Sequence, residues 1–373
     1  MKHVLIVFGT RPEAIKMAPL IKEFHKHPRS FNTKICVTAQ HREMLDQVLS
    51  FFKITPDYDL NLMKKGQNLY GLTADIITNM KPVLEDFKPD YVFVHGDTTT
   101  TMAGSLASFY SGAKICHVEA GLRTHTKYSP FPEEMNRQIT GRICDYHFAP
   151  TSTSKLNLLA ENIQEKTILV TGNTVIDALL ESVERVKEKP SPLIQKLSKT
   201  IGSKELILVT SHRRENHGEG FVRICEALKE IAKDDSERLM VYPVHLNPHV
   251  QEPVKRILSH VPNVLLIDPL AYEDFIWMMN RAKLNITDSG GIQEEAPSLG
   301  KPVLVLRDTT ERPEAVEEGT VCLVGTNKDL IVKETLDLLN NTTRFEAMSR
   351  LHNPYGDGKA SERIVEFIAR LPN

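Results

Sequence analysis

The sequence lacks a charge excess of either sign, a long apolar run and any paired-cysteine motif, and each absence removes a class of function. Lysine and arginine number 46 against 48 aspartates and glutamates, a formal net charge of −2. No basic surplus is available to neutralise a phosphate backbone, so no nucleic-acid partner is expected. No stretch approaches the ~20 apolar residues that cross a bilayer, so no membrane partner is expected either. The apolar run after Met1-Lys2-His3 stops at Gly9 and has no small-residue cleavage pattern behind it, so it does not read as a secretory signal. Cys36, Cys116, Cys144, Cys225 and Cys322 are odd in number and never spaced CxxC. That pattern suits reduced thiols in the cytoplasm and excludes a disulfide frame or a cysteine-based zinc site. His212 with His217 and His245 with His249 are close histidine spacings, but HExxH is missing and no metal is expected. GxGxxG and GxxxxGK[ST] are also missing, so neither NAD nor a P-loop is indicated, and no cofactor is expected.

What is present is an alternation of short apolar β-branched runs with helical periods. The runs fall at residues 3–8, 34–38, 91–95, 114–118, 146–149 and 167–171, then at 206–210, 239–244, 264–267, 284–287, 302–306 and 321–324. Residues 13–27 and 222–233 are amphipathic segments between them. Runs apolar on both faces suit parallel strands covered by helices on both sides. Twelve strands in 373 residues predict two doubly wound α/β domains of about six strands each. Lys187-Glu188-Lys189-Pro190-Ser191-Pro192 is the best linker by composition, with a structural boundary expected slightly earlier, after Thr171-Gly172-Asn173. Residues 361–371 predict a short final helix with Ile364, Phe367, Ile368 and Leu371 on one face.

In doubly wound sheets, ligands bind beyond the carboxyl ends of the strands, and the polar residues concentrate there. The first run leads into Gly9-Thr10-Arg11-Pro12-Glu13-Ala14-Ile15-Lys16. Thr10 and Glu13 have capping-box spacing, Pro12 suits a first helical turn, and Arg11 with Lys16 offers an anion site beside free N–H groups. Asp97 and Glu119 close two further runs on the same edge, where paired carboxylates can divide into an acid and a base. An N-cap role for Asp97 and an Arg123 ion pair for Glu119 are the structural alternatives. Glu133 and Glu134 open a helix and favour its dipole whatever their function. In the second half, runs end in Ser211-His212-Arg213, in His245, and in Asp288-Ser289-Gly290-Gly291. Two glycines opening a helix directly after a strand let a pyrophosphate approach bare N–H groups. Glu295, one turn further on, suits ribose hydroxyls or a plain surface charge. Arg11-Pro12-Glu13-Ala14 is echoed by Arg312-Pro313-Glu314-Ala315, each after a run and before a helix.

These segments resemble the non-hydrolysing UDP-N-acetylglucosamine 2-epimerases. The resemblance is carried by GTRPEAIKMAP (9–19), TAQHREMLDQV (38–48), HGDTTTT (95–101), HVEAGLRT (117–124), PEEMNRQ (132–138), HRREN (212–216), YPVHLNP (242–248), TDSGGIQEEAPSLGKPVLVLRDTTERPEA (287–315) and NPYGDG (353–358). It implies a GT-B fold: two Rossmann-like domains, residues 1–172 with 360–373 and residues 173–359, the second binding UDP, with a ligand cleft between them. It implies a cytoplasmic homodimer that interconverts UDP-GlcNAc and UDP-ManNAc for polysaccharide biosynthesis. The C2 proton of the sugar has no adjacent carbonyl to acidify it. Loss of UDP from C1, giving 2-acetamidoglucal, followed by re-addition with the proton returned to the other face, avoids direct deprotonation.

By the same resemblance, Asp97, Glu119 and Glu133 are the acid/base residues and His212 assists departure of the diphosphate. Arg11, Ser289, Gly290, Gly291, Glu295 and Arg312 would hold UDP, with Lys16 on sugar or phosphate and Leu270 and Phe275 at the uracil. Gln40, Glu43, Gly66, Glu133, Arg213 and His245 match a second UDP-GlcNAc site that activates some bacterial relatives. The rival readings are a hydrolysing epimerase that releases free ManNAc and UDP, a GT-B glycosyltransferase, and a non-catalytic nucleotide-sugar sensor.

Overall fold

The computed structural model describes residues 1–39, 42–64 and 66–372. The chain divides into two compact units. The first comprises Met1–Ala178 and the residues from Tyr355 onward, the second Leu179–Pro354.

The first unit carries β1 (Lys2–Phe8), β2 (Phe31–Val37), β3 (Tyr58–Asp59), β4 (Tyr91–His95), β5 (Lys114–Val118), β6 (Tyr146–Ala149) and β7 (Ile168–Val170). They form one sheet in the order β3-β2-β1-β4-β5-β6-β7, with every recorded pairing parallel. Val4 to Phe8 are fully buried, as expected of a central strand covered on both faces. The winding reverses between β1 and β4, so the loops after these two strands diverge and leave a crevice at the carboxyl edge. The second unit carries β8 (Glu205–Thr210), β9 (Arg238–Pro243), β10 (Val264–Ile267), β11 (Leu284–Thr287), β12 (Val303–Val305) and β13 (Val321–Leu323), ordered β10-β9-β8-β11-β12-β13. Its reversal lies between β8 and β11, where Leu284 to Thr287 pair with Ile207 to Thr210.

All twelve anticipated strands are present, and β3 is an addition. Its two residues have no apolar run to announce them, and backbone pairing of Tyr58 and Asp59 with Cys36 and Val37 makes the strand. The charged, proline-broken stretch at 187–192 is not an extended linker. Lys187 and Glu188 end the helix Thr174–Glu188 and Pro192 opens the helix Pro192–Ile201, with Ser191 capping it.

The final helix, Ala360–Arg370, belongs to the first unit. Ile364, Val365 and Ile368 are buried, and Phe367 meets Tyr146 and Phe148 edge-on at 5.6 and 5.7 Å. Asp177 caps its start, accepting from the N–H of Ser361 at 2.8 Å and of Ala360 at 3.2 Å. At its other end the Lys2 ammonium donates to the carbonyls of Ile368, Ala369 and Leu371 at 2.7, 3.3 and 2.5 Å. A cation on the last carbonyls satisfies groups that a helix leaves unpaired and complements its dipole.

Candidate functional site

In the first unit, the helix Arg11–His25 starts where β1 ends. Thr10 and Glu13 form the anticipated capping box, with Pro12 in the first turn. Glu13 does more than cap. Its buried carboxylate accepts from the N–H of Gly9 (3.1 Å) and Thr10 (2.8 Å) and from the hydroxyls of Thr98 (2.7 Å) and Thr101 (3.2 Å). It therefore ties the loop after β1 to the loop after β4, across the reversal. Burial pushes its pKa up, against the pull of those hydrogen bonds.

Lys16, one turn further along, reaches the carboxylate of Glu119 beyond β5. Glu119 also accepts from Asn173 Nδ2 at 2.8 Å, and His95 Nε2 lies 3.8 Å away. Its backbone is left-handed, φ 63°, an uncommon conformation for a residue with a side chain and one that turns it out of the strand direction. Burial works to raise its pKa, but the Lys16 ammonium, with His95 and Asn173, outweighs burial and holds the group well below the usual carboxylate range. Arg123 takes no part, since it forks onto Glu161 at 2.6 and 2.8 Å. His95 is neutral, its pKa lowered by burial to about 4, and His117, which shares a hydrogen bond with the Gly96 carbonyl, is lowered by burial to about 3.

Asp97 does not cap the next helix. Thr98 does, and Asp97 pairs with Arg137 at 2.6 Å while its carbonyl accepts from Asn136 at 2.9 Å. Both partners lie on the helix Glu133–Ile143, so this helix is fastened to the loop after β4. The two glutamates that open it differ. Glu134 is fully buried and accepts from the N–H of Thr124 and His125 and from Arg137 and Gln138. Glu133 is half-buried, and its Oε2 is shielded from water with no hydrogen-bond partner among the described residues. Glu134 is committed to the fold, and Glu133 has an acceptor to spare.

In the second unit, the loops after β8 and β11 meet on Asp288. Its Oδ2 accepts from the N–H of His212 (2.8 Å) and Arg213 (2.9 Å), from Ser211 Oγ (2.8 Å) and from Asn216 Nδ2 (3.3 Å). Its Oδ1 lies 3.6 Å from His212 Nδ1, and His212 stacks on His245 with ring centroids 5.0 Å apart. Burial lowers the His212 pKa, against the opposing pull of Asp288. The helix Gly290–Ser298 begins after Ser289, whose N–H donates to Thr287 Oγ1. Arg312 lies across its first residue: a Cβ at Gly290 would stand 2.5 Å from Arg312 Nη1. Glu294 and Glu311 hold that guanidinium. For Glu311, burial is outweighed by Arg312 and Arg307, and its pKa falls to about 2. Glu295 is buried and is not a surface charge. Leu270 and Phe275, both half-buried, follow β10, with Phe275 in the helix Tyr272–Arg281.

Arg11, Lys16, Asp97, Glu119 and Glu133 thus share the carboxyl edge of one sheet. His212, Ser289, Gly290, Gly291, Glu295 and Arg312 share that of the other. Glu43 is exposed in the helix Arg42–Phe52, and Arg213 and His245 flank His212, while Gln40 lies outside the described residues. Arg137, Asn173 and His95 were not anticipated as site residues, and Asp288 was placed at a strand end without a role of its own. Each is joined to its partner by a contact between distant segments that no local spacing reports.

A family model described as UDP-N-acetylglucosamine 2-epimerase matches residues 22–369. The chain is similar, at 60% identity over 98% of each chain, to the UDP-N-acetylglucosamine 2-epimerase of Escherichia coli strain K12. Among solved structures it is similar to the UDP-GlcNAc 2-epimerase of Neisseria meningitidis bound to UDP-GlcNAc, with 52% identity, a TM-score of 0.88 and coverage of 99% of this chain and 100% of the other. It is also similar to that of Methanocaldococcus jannaschii in complex with UDP-GlcNAc and UDP, with 34% identity, a TM-score of 0.80 and 99% coverage of both. The two parallel-sheet α/β units are GT-B-like, as in these structures.

Proposed function

The chain belongs to the UDP-N-acetylglucosamine 2-epimerase family, and from that premise we propose how its residues invert C2 of UDP-GlcNAc to give UDP-ManNAc without net hydrolysis. It is an isomerase acting on a nucleotide sugar. The C1–O bond breaks and its electron pair leaves with UDP. A carboxylate takes the C2 proton, and C1=C2 forms in 2-acetamidoglucal. UDP then adds back to C1 while a second acid delivers a proton to the opposite face of C2. Asp97, Glu119 and Glu133 supply these acids and bases. The single observation that carries the reading is the water-shielded Oε2 of Glu133, which has no hydrogen-bond partner among the described residues, on a helix fastened by Arg137 to Asp97. An acceptor unused by the fold, next to a carboxylate loop at the ligand edge of the sheet, suits proton transfer.

The diphosphate carries growing charge as C1–O lengthens, and the N-terminus of Gly290–Ser298 with Arg312 answers that charge. His212, set beside Asp288, assists departure. Arg11 and Lys16 contact sugar or phosphate, Glu295 the ribose, and Leu270 with Phe275 the uracil. A second UDP-GlcNAc at Gln40, Glu43, Arg213 and His245 acts as an activator, and the enzyme works as a cytoplasmic homodimer.

The test is one NMR time course of UDP-GlcNAc in deuterated water. Deuterium at C2 of both sugars and growth of UDP-ManNAc are expected. Free ManNAc in step with UDP would instead mark a hydrolysing enzyme. Binding without C2 exchange would mark a sensor.

A further inference from the structure

Glu119 leaves β5 with a left-handed backbone, so its own strand does little to aim its carboxylate. The aim comes from other elements. The charged and titratable groups that face it are the Lys16 ammonium, from the helix after β1, and the His95 imidazole, from β4. The remaining hydrogen bond is neutral and comes from two strands away, in the turn after β7, where Asn173 Nδ2 donates to Oε2 at 2.8 Å.

That turn is itself braced. The Asn173 N–H donates to the Tyr355 carbonyl at 2.7 Å. Gly172 and Gly356 lie back to back, so that a Cβ on Gly356 would stand 3.1 Å from Gly172 Cα and one on Gly172 would stand 3.2 Å from Gly356 Cα. Both glycines have positive φ, 85° and 124°. Asn173 Oδ1 accepts from the Val175 N–H at 3.1 Å, which leaves the amide nitrogen aimed at Glu119. The segment that returns the chain to the first unit therefore fixes the position of one amide, and that amide fixes a carboxylate.

We propose that Asn173, held by the returning segment at Tyr355 and Gly356, is a positioning residue that aims the Glu119 carboxylate for proton transfer. The inference rests on the reading of Glu119 as an acid/base residue. A donor to the charged form of an acid favours that form.

Asn173→Asp separates donor from scaffold. The isosteric carboxylate can still accept from Val175 and cap the turn, but it has no N–H for Glu119 and adds a like charge beside it. In carbon-13 titrations, with the Glu119 signal assigned by its loss in Glu119→Gln, that signal is expected to move up by about one pH unit or more in Asn173→Asp. C2 proton exchange in deuterated water should fall at least about tenfold, with UDP affinity within about twofold of the parent. Gly356→Ala, which must push the Gly172–Asn173 turn away, should move the same signal in the same direction should Asn173→Asp fail to fold. A Glu119 titration unmoved in whichever of these variants folds overturns the proposal. Full C2 exchange in Glu119→Gln overturns the reading of Glu119 instead, so the two failures are distinguishable.

Discussion

Two buried carboxylates in the first unit show how environment assigns work to a residue type. Glu13 accepts from the neutral N–H groups of Gly9 and Thr10 and the hydroxyls of Thr98 and Thr101, its pKa is pushed up by burial, and it serves as a strut. Glu119 meets an ammonium, its pKa is pulled down, and it stays charged at the ligand edge. Lys16→Met should leave that charge buried without its cation. A loss of about 3 kcal/mol is expected in urea unfolding, part of it regained in Lys16→Met/Glu119→Gln. Asp97→Asn, Glu119→Gln and Glu133→Gln should each lower turnover by about 10²-fold or more. Their UDP affinity, measured by calorimetry, should stay within about threefold of the parent, because these groups act on the sugar and not on the nucleotide. The buried imidazoles give stability a pH dependence of known sign. His95 and His117 are neutral in the fold, with pKa values near 4 and 3 against 6.5 when exposed. The unfolded chain therefore binds more protons in that interval, and stability is lost as pH falls from about 6.5 toward 4. Urea midpoints across that range should slope accordingly, and less steeply in His117→Asn.

At the scale of elements, the missing side chain of Gly290 matters to the ligand edge of the second sheet. Arg312 occupies the space that a Cβ would need, and two glutamates prevent it from yielding freely. Gly290→Ala should weaken UDP binding about tenfold or more by calorimetry, with a melting point lowered by only a few degrees, since a hydrogen bond to a charged group is worth about 1.5–3 kcal/mol. Elements were also the scale most legible in the sequence. Buried parallel strands announce themselves as apolar runs, and Tyr91–His95, Lys114–Val118, Tyr146–Ala149, Val264–Ile267 and Leu284–Thr287 have the anticipated bounds. The Thr10 and Glu13 capping box was readable because both partners lie within one helical turn. Tyr58–Asp59 was not, because its pairing partner and not its composition makes it a strand. The candidate site was legible in its residue types at strand ends and illegible in its partnerships. Asp97 finds Arg137 and Asp288 finds His212 through folds of the chain that no spacing encodes. Glu134, which sits beside Glu133 and shares its chemistry, is separated from it only by four hydrogen bonds.

For the whole molecule, elimination and re-addition require that UDP stay bound until it recombines with the glycal. An oxygen-18 label placed in the C1–O–P bridge should therefore scramble into the non-bridging positions of the β-phosphate during turnover, at a rate no slower than epimerisation. A bridge label that keeps its place through many turnovers would contradict the elimination route. A different consequence follows from the ammonium of Lys2, seated on the carbonyls of Ile368, Ala369 and Leu371. This ammonium, on the first strand of its unit, finds its acceptors only after the helix Ala360–Arg370 has been made. Until then the sheet of the first unit lacks both the helix that covers Phe148 and the acceptors for a buried cation. Arrested nascent chains ending before residue 355 should accordingly be digested by protease throughout their first 178 residues, and chains extended past residue 371 should resist. Translation, for this protein, is a wait between two halves of one handshake.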